Sequence, residues 1–157
     1  MKKLLTILTA LFGLVSCSGG NNQTAFPEDS LSFGTPSGKT LRVACIFHGS
    51  LAFEYDGNVI QVDPVTRMGD MKIDYSAFGK ADAIFITHAH HDHLCQEAID
   101  TLSGEKTALY ANAESVSVIG RGKVLANGDS GELPGGISYT AVPAYNTTPG
   151  KEKYHPK

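Results

Sequence analysis

Within a chain of 157 residues, His88-Ala89-His90-His91-Asp92-His93 places four imidazoles and a carboxylate in six consecutive positions. Neutral imidazole and carboxylate are donors that zinc takes, and iron and manganese accept the same set. The pattern H-x-H-x-D-H picks out His88 and His90 to converge on one ion. Asp92 and His93 then point to a second ion a few ångströms away. Two ions roughly 3.5–4 Å apart hold a water between them and polarise a carbonyl or phosphoryl oxygen. The spacing therefore serves metal-assisted hydrolysis. His91 does not fit the ligand pattern and reads as a loop residue or as a donor that orients a ligand. His48 stands apart, in the turn His48-Gly49-Ser50. It reads either as a contact to the ligands or the substrate, or as a solvent-facing residue.

Such side chains need a rigid base. The run "DAIFIT" (82–87) directly before the cluster is continuously apolar, as in a strand buried on both faces. Loops at the carboxyl ends of such strands are where these sheets usually place their chemistry. Upstream, strands are expected over 41–47, 51–55 and 59–63, with "HGS" and "DGN" as turns. Residues 64–80 read as a loop. Downstream, Ala98, Ile99 and Leu102 repeat at helical spacing over 95–102, and Ser103-Gly104 stops the helix. A strand over 107–110, a helix over 112–120 capped by Asn112, and strands over 123–125 and 137–145 follow. The last two are separated by the turn-rich segment 126–136. Antiparallel strands first, then strand–helix alternation, predict an α/β fold with a mixed sheet and helices on its outside. Cys45, alternating with Val43 and Phe47, is expected in the core. Cys95 is expected to open a helix, as a partly buried thiol or a neighbour of the metal. A disulfide between the two is open to an exported protein.

Composition sets the remaining bounds. Hydrophobic residues make up 41% of the chain, enough to build a core, and the net charge is −3 with no basic run. Nothing recruits nucleic acid or an anionic membrane surface electrostatically. The N-terminus carries an address instead. Basic "MKK" precedes apolar "LLTILTALFGLV", which is short for a bilayer span and reads as a signal peptide. It ends in "LVSC", which resembles a bacterial lipobox. Residues 1–16 are thus expected to be a lipoprotein signal peptide, with Cys17 acylated, palmitate being such a chain, and anchored in the cell-envelope membrane. Residues 17–39, rich in Gly, Ser, Asn and Pro, read as a flexible tether.

"THAHHDHL" after an apolar strand, with Asp63-Pro64 ending the preceding strand, resembles the metallo-β-lactamase superfamily of hydrolases. "HGSLAFEYDGNVIQVDP" and "VPAYN…YHPK" resemble its ascorbate-6-phosphate-lactonase-like branch. The resemblance covers residues 40–157. It implies the N-terminal half or more of an αββα sandwich, with the metal site at one edge of two sheets. It makes His88 and His90 ligands of the first metal, and Asp92 and His93 ligands of the second. It gives Asp92 the further role of orienting the attacking water, and Asp63 an orienting or structural one. A third histidine for the first metal is expected near "VPAY". Asn146 stands there, a poor ligand beside imidazole, and His155 is the candidate replacement. The family's bridging aspartate and last histidine are expected beyond Lys157. The resemblance implies a metal-dependent hydrolase acting on a small molecule, a lactone or a phosphorylated compound. The alternatives are a truncated, non-catalytic, lipid-anchored half-domain and a metal-binding module. For the chain as written, weak metal binding, self-association and little turnover are expected.

Overall fold

A computed structural model describes residues 26–151. Residues 1–25, with Cys17, and residues 152–157, with His155, lie outside the described part.

In chain order the strands β1 (Leu31–Gly34), β2 (Thr40–Phe47), β3 (Ser50–Tyr55) and β4 (Asn58–Val62) come first. A small hairpin, β5 (Arg67–Met68) and β6 (Met71–Lys72), and a 3-10 turn (Ser76–Phe78) lead to β7 (Ala83–Ile86). Then come α1 (Gln96–Leu102), β8 (Ala108–Ala111), α2 (Ala113–Ile119) and β9 (Lys123–Val124). The hairpin β10 (Ser130–Leu133) and β11 (Ile137–Thr140) follows. The main sheet has seven strands in the order β1-β2-β3-β4-β7-β8-β9. Its first four strands are antiparallel neighbours, and β4, β7, β8 and β9 run parallel. Parallel neighbours need crossover connections, and here residues 63–82, α1 and α2 supply them.

Strand alternation sorts the core. Ala44, Ala52, Gln61, Ile84 and Leu109 occupy matched positions across β2, β3, β4, β7 and β8. All five are buried. Ala98, Ile99 and Leu102 of α1, with Tyr75 and Phe78, join the same core cluster. Burying a side chain such as Ile84, Ile99 or Leu102 is worth about 1.5–3 kcal/mol each. Phe85 points the other way, onto Tyr110 (ring centroids 4.9 Å apart) and Tyr139 of β11 (5.3 Å). The β10–β11 hairpin therefore lies on the face opposite the helices. Between hairpin and sheet, Leu41, Phe53, Ile60 and Ile137 line an open apolar cleft of about 300 Å³.

The expected mixed α/β sheet with outside helices is present. The Asp56-Gly57 turn has φ of +52° and +78°, as a two-residue hairpin loop requires. Asn112 caps α2 by accepting the Ser115 amide at 2.8 Å, as expected. Four differences stand out. The segment expected as a tether supplies the edge strand β1, paired to β2 through Leu31 and Val43. The segment expected only to turn contains β10, because Pro134-Gly135-Gly136 closes a hairpin in which Leu133 faces Ile137. The final strand stops at Thr140 rather than 145. Cys45 is exposed rather than buried, since Ala44 takes the core-facing position opposite Ala52. Among the described residues Cys45 and Cys95 are not joined to each other and are free thiols.

Candidate metal centre

Three segments meet at the carboxyl ends of β4 and β7. Asp63 directly follows β4, the loop 87–95 follows β7, and the turn His48-Gly49 joins β2 to β3. A register irregularity between Cys45 and Phe47 bends β2 just before that turn, as bulges near functional sites do. The histidine loop winds on itself, His93 and Leu94 both donating their amides to the His90 carbonyl at 2.9 and 2.8 Å.

Asp63 organises the cluster. It is 2% exposed and sits at φ +44°. Its Oδ1 accepts the Thr87 amide at 2.7 Å, and its Oδ2 accepts the Thr87 hydroxyl at 2.6 Å and His93 Nδ1–H at 2.7 Å. His93 Nε2 is thereby left to face outward, 3.9 Å from Asp92 Oδ2. The Thr87 hydroxyl, having donated to Asp63, accepts from His88 Nδ1 at 2.9 Å. That fixes His88 with Nε2 toward His90 Nδ1, 3.1 Å away. One buried carboxylate therefore sets the tautomer of His93 directly and of His88 through Thr87. A carboxylate behind a ligating imidazole is the usual support of a metal site.

The donor set fits a divalent ion. A tetrahedral ion with bonds of about 2.0–2.1 Å keeps its ligand atoms about 3.3 Å apart. The His88–His90 separation of 3.1 Å meets that requirement, and the Asp92–His93 separation of 3.9 Å needs a small closure. The two pairs are adjacent, with the His88 and His93 rings 4.1 Å apart. His48 joins the second pair: its Nε2 lies 3.2 Å from Asp92 Oδ2, and its ring 5.0 Å from that of His93. Burial raises the pKa of Asp92, but its own backbone amide and the nearby His93, His91 and His48 outweigh this and hold it below the ordinary carboxylate value.

His91 is exposed and acts on Asp92 through charge. Asn146 accepts the Thr148 amide at 3.0 Å in its own loop, and no hydrogen bond among the described residues ties it to the cluster. Cys95 caps α1 by position and contacts the Thr66 hydroxyl at 3.4 Å. Burial raises its thiol pKa, but hydrogen bonds centred on Thr66 outweigh this and lower it. Three residues escaped the sequence reading: Thr87, Gly49 and Ser50. A Cβ on Gly49 would sit 2.7 Å from His93 Cε1 and 2.9 Å from Nδ1, so only glycine lets the ring lie there. The Ser50 hydroxyl donates to the Asp63 carbonyl at 2.5 Å, tying the turn to the carboxylate it serves.

The beta-lactamase superfamily domain matches residues 42–156. The chain belongs to this superfamily. Two solved structures resemble it. A candidate metal-dependent hydrolase from Parabacteroides distasonis is 49% identical, with a TM-score of 0.74 over 81% of this chain and 56% of its own. A metallo hydrolase from the hyperthermophilic archaeon Ignicoccus hospitalis is 21% identical, with a TM-score of 0.55 over 71% of this chain and 52% of its own. The second likeness speaks to the fold alone. The chain spans about half the length of both solved structures. No curated protein matches it. Superfamily membership agrees with the H-x-H-x-D-H loop at the sheet edge, where Asp63, Thr87 and the H-G-S turn gather around it.

Proposed function

We propose that this cluster is the metal-binding part of a hydrolase active centre, with zinc as its ion and a lactone or phosphorylated small molecule as its substrate. The observation that supports it best is the convergence on Asp63. A side chain 2% exposed, 24 residues before Thr87 and 30 before His93, holds the imidazoles of His88 and His93 in ligating tautomers.

His88 and His90 would hold one ion, and Asp92 and His93 the other. Bound there, a divalent ion supplies Lewis-acid polarisation and brings the pKa of water toward neutrality. The chain's own groups do the rest. Asp92, held below the ordinary carboxylate pKa, stays ionised at neutral pH. It is the group placed to orient the attacking water and accept its proton. Asp63 and Thr87 keep the ligands from rotating, and misplacement of about 1 Å can cost on the order of 10²-fold in rate. The choice of a lactone or phosphorylated substrate rests on the resemblance of "HGSLAFEYDGNVIQVDP" and "VPAYN…YHPK" to the lactonase-like branch.

The test is turnover by the full chain, loaded with zinc and separately with manganese, against lactones, a chromogenic β-lactam and phosphodiesters. Turnover by this chain is expected to be small, and what there is should fall at least about 100-fold in Asp92→Asn with metal still bound. Equal turnover in Asp92→Asn contradicts the role of Asp92. Metal binding without turnover of any substrate favours a metal-binding module.

A further inference from the structure

The H-G-S turn is more specialised than a hairpin connection requires. In a two-residue loop the glycine normally adopts the left-handed conformation, because it has no Cβ to clash. Here the roles are exchanged. His48 takes φ +50°, while Gly49 lies outside the left-handed region and serves instead as the clearance in which the His93 ring lies. Strained backbone of this kind persists where the surroundings require it. Its effect is to swing the His48 imidazole over the Asp92–His93 pair.

We propose that His48 is a protein ligand of the ion that Asp92 and His93 hold. The three side chains each offer one ligand atom, and these atoms all lie within 4.8 Å of one another. His48 Nε2 and Asp92 Oδ2 are 3.2 Å apart, close to the roughly 3.3 Å edge of a tetrahedral site. His93 Nε2 is the remaining corner, 3.9 Å from the same carboxylate oxygen. A His₂Asp set leaves one tetrahedral position for water or substrate, as a catalytic zinc site needs. The three donors come from two loops tied together through Asp63, which accepts from His93 and, at its carbonyl, from Ser50. The second metal position thus has three protein donors among the described residues. The inference rests on the functional reading only in requiring that the cluster binds metal.

Cobalt(II) tests it, since its visible absorption reports coordination number and ligand type. The full chain is titrated with cobalt alongside His48→Asn, His48→Gly and the double variant His88→Ala/His90→Ala. Asn and Gly both accept φ +50°, so neither His48 variant should disturb the turn, and melting curves check this. We expect the parent to bind about two equivalents. Both His48 variants should keep one at parental affinity and bind the other at least about 10-fold more weakly, with a weaker band as water replaces imidazole. Added imidazole should restore the band in His48→Gly. The double variant should keep one equivalent with the parental spectrum of the His48 site. Two equivalents bound by both His48 variants with parental affinity and spectrum would overturn the proposal. So would loss of all cobalt by the double variant. A parent that binds no cobalt overturns this proposal and the functional reading together. Two bound equivalents without hydrolysis of any substrate count against the functional reading alone.

Discussion

Asp63 accepts three hydrogen bonds from Thr87 and His93 while almost fully buried. Asp63→Asn keeps the size but removes the charge and one acceptor, so one of those donors faces an amide NH₂ and His93 can turn its tautomer. Metal affinity is expected to fall about 10–100-fold, the usual cost of losing a support behind a ligand. Competition with a chromophoric chelator measures it, and unchanged affinity would remove Asp63 from the site. The candidate donors were legible in the sequence because metals accept few donor types, and His88, His90, Asp92 and His93 are such residues at close spacing. Thr87, Gly49 and Ser50 were not. Their residue types are generic, and their importance comes from contacts with residues far away in the chain, 13 positions in the case of Ser50 and Asp63. His48 was half-legible: its type suggested a role, but only the turn's backbone aims it at Asp92.

Among the elements, β4 leads directly into Asp63 and carries an anomaly two residues before it. Gln61 is 0% exposed, and among the described residues neither its amide nitrogen nor its carbonyl oxygen has a hydrogen-bond partner. It faces the helix-side core between Ala52 and Ile84. An unsatisfied buried polar group costs about 1–3 kcal/mol, and Met fills nearly the same volume without that cost. Gln61→Met should therefore raise stability by about 1 kcal/mol or more, read from urea denaturation with an unchanged slope. A loss of stability would mean that the amide is engaged in a way packing alone does not reveal. Elements whose signals are local were readable in advance: the Asp-Gly hairpin, the apolar β7 and the Asn112 cap. Where tertiary pairing decides, local pattern failed. β1 exists because β2 offers it an edge, β10 because β11 folds back on it, and Cys45 faces out because the Ala44–Ala52 register fixes which side is the core.

At the scale of the whole molecule, the sheet order explains why separate segments make one site. Placing β4 between β3 and β7 brings the start of β3, the end of β4 and the end of β7 to one edge. Those ends deliver His48 to Ser50, Asp63, and Thr87 to His93. On the proposed reading this edge binds divalent metal through the named side chains. Zinc content after loading and exhaustive dialysis tests it most directly. It should be measured on the full chain, on His88→Ala/His90→Ala, and on a fourfold variant that also carries Asp92→Ala and His93→Ala. Bound zinc is expected in the parent, about one equivalent less in the double variant, and none in the fourfold variant with melting still cooperative. Zinc retained by the fourfold variant at the parental level would contradict it.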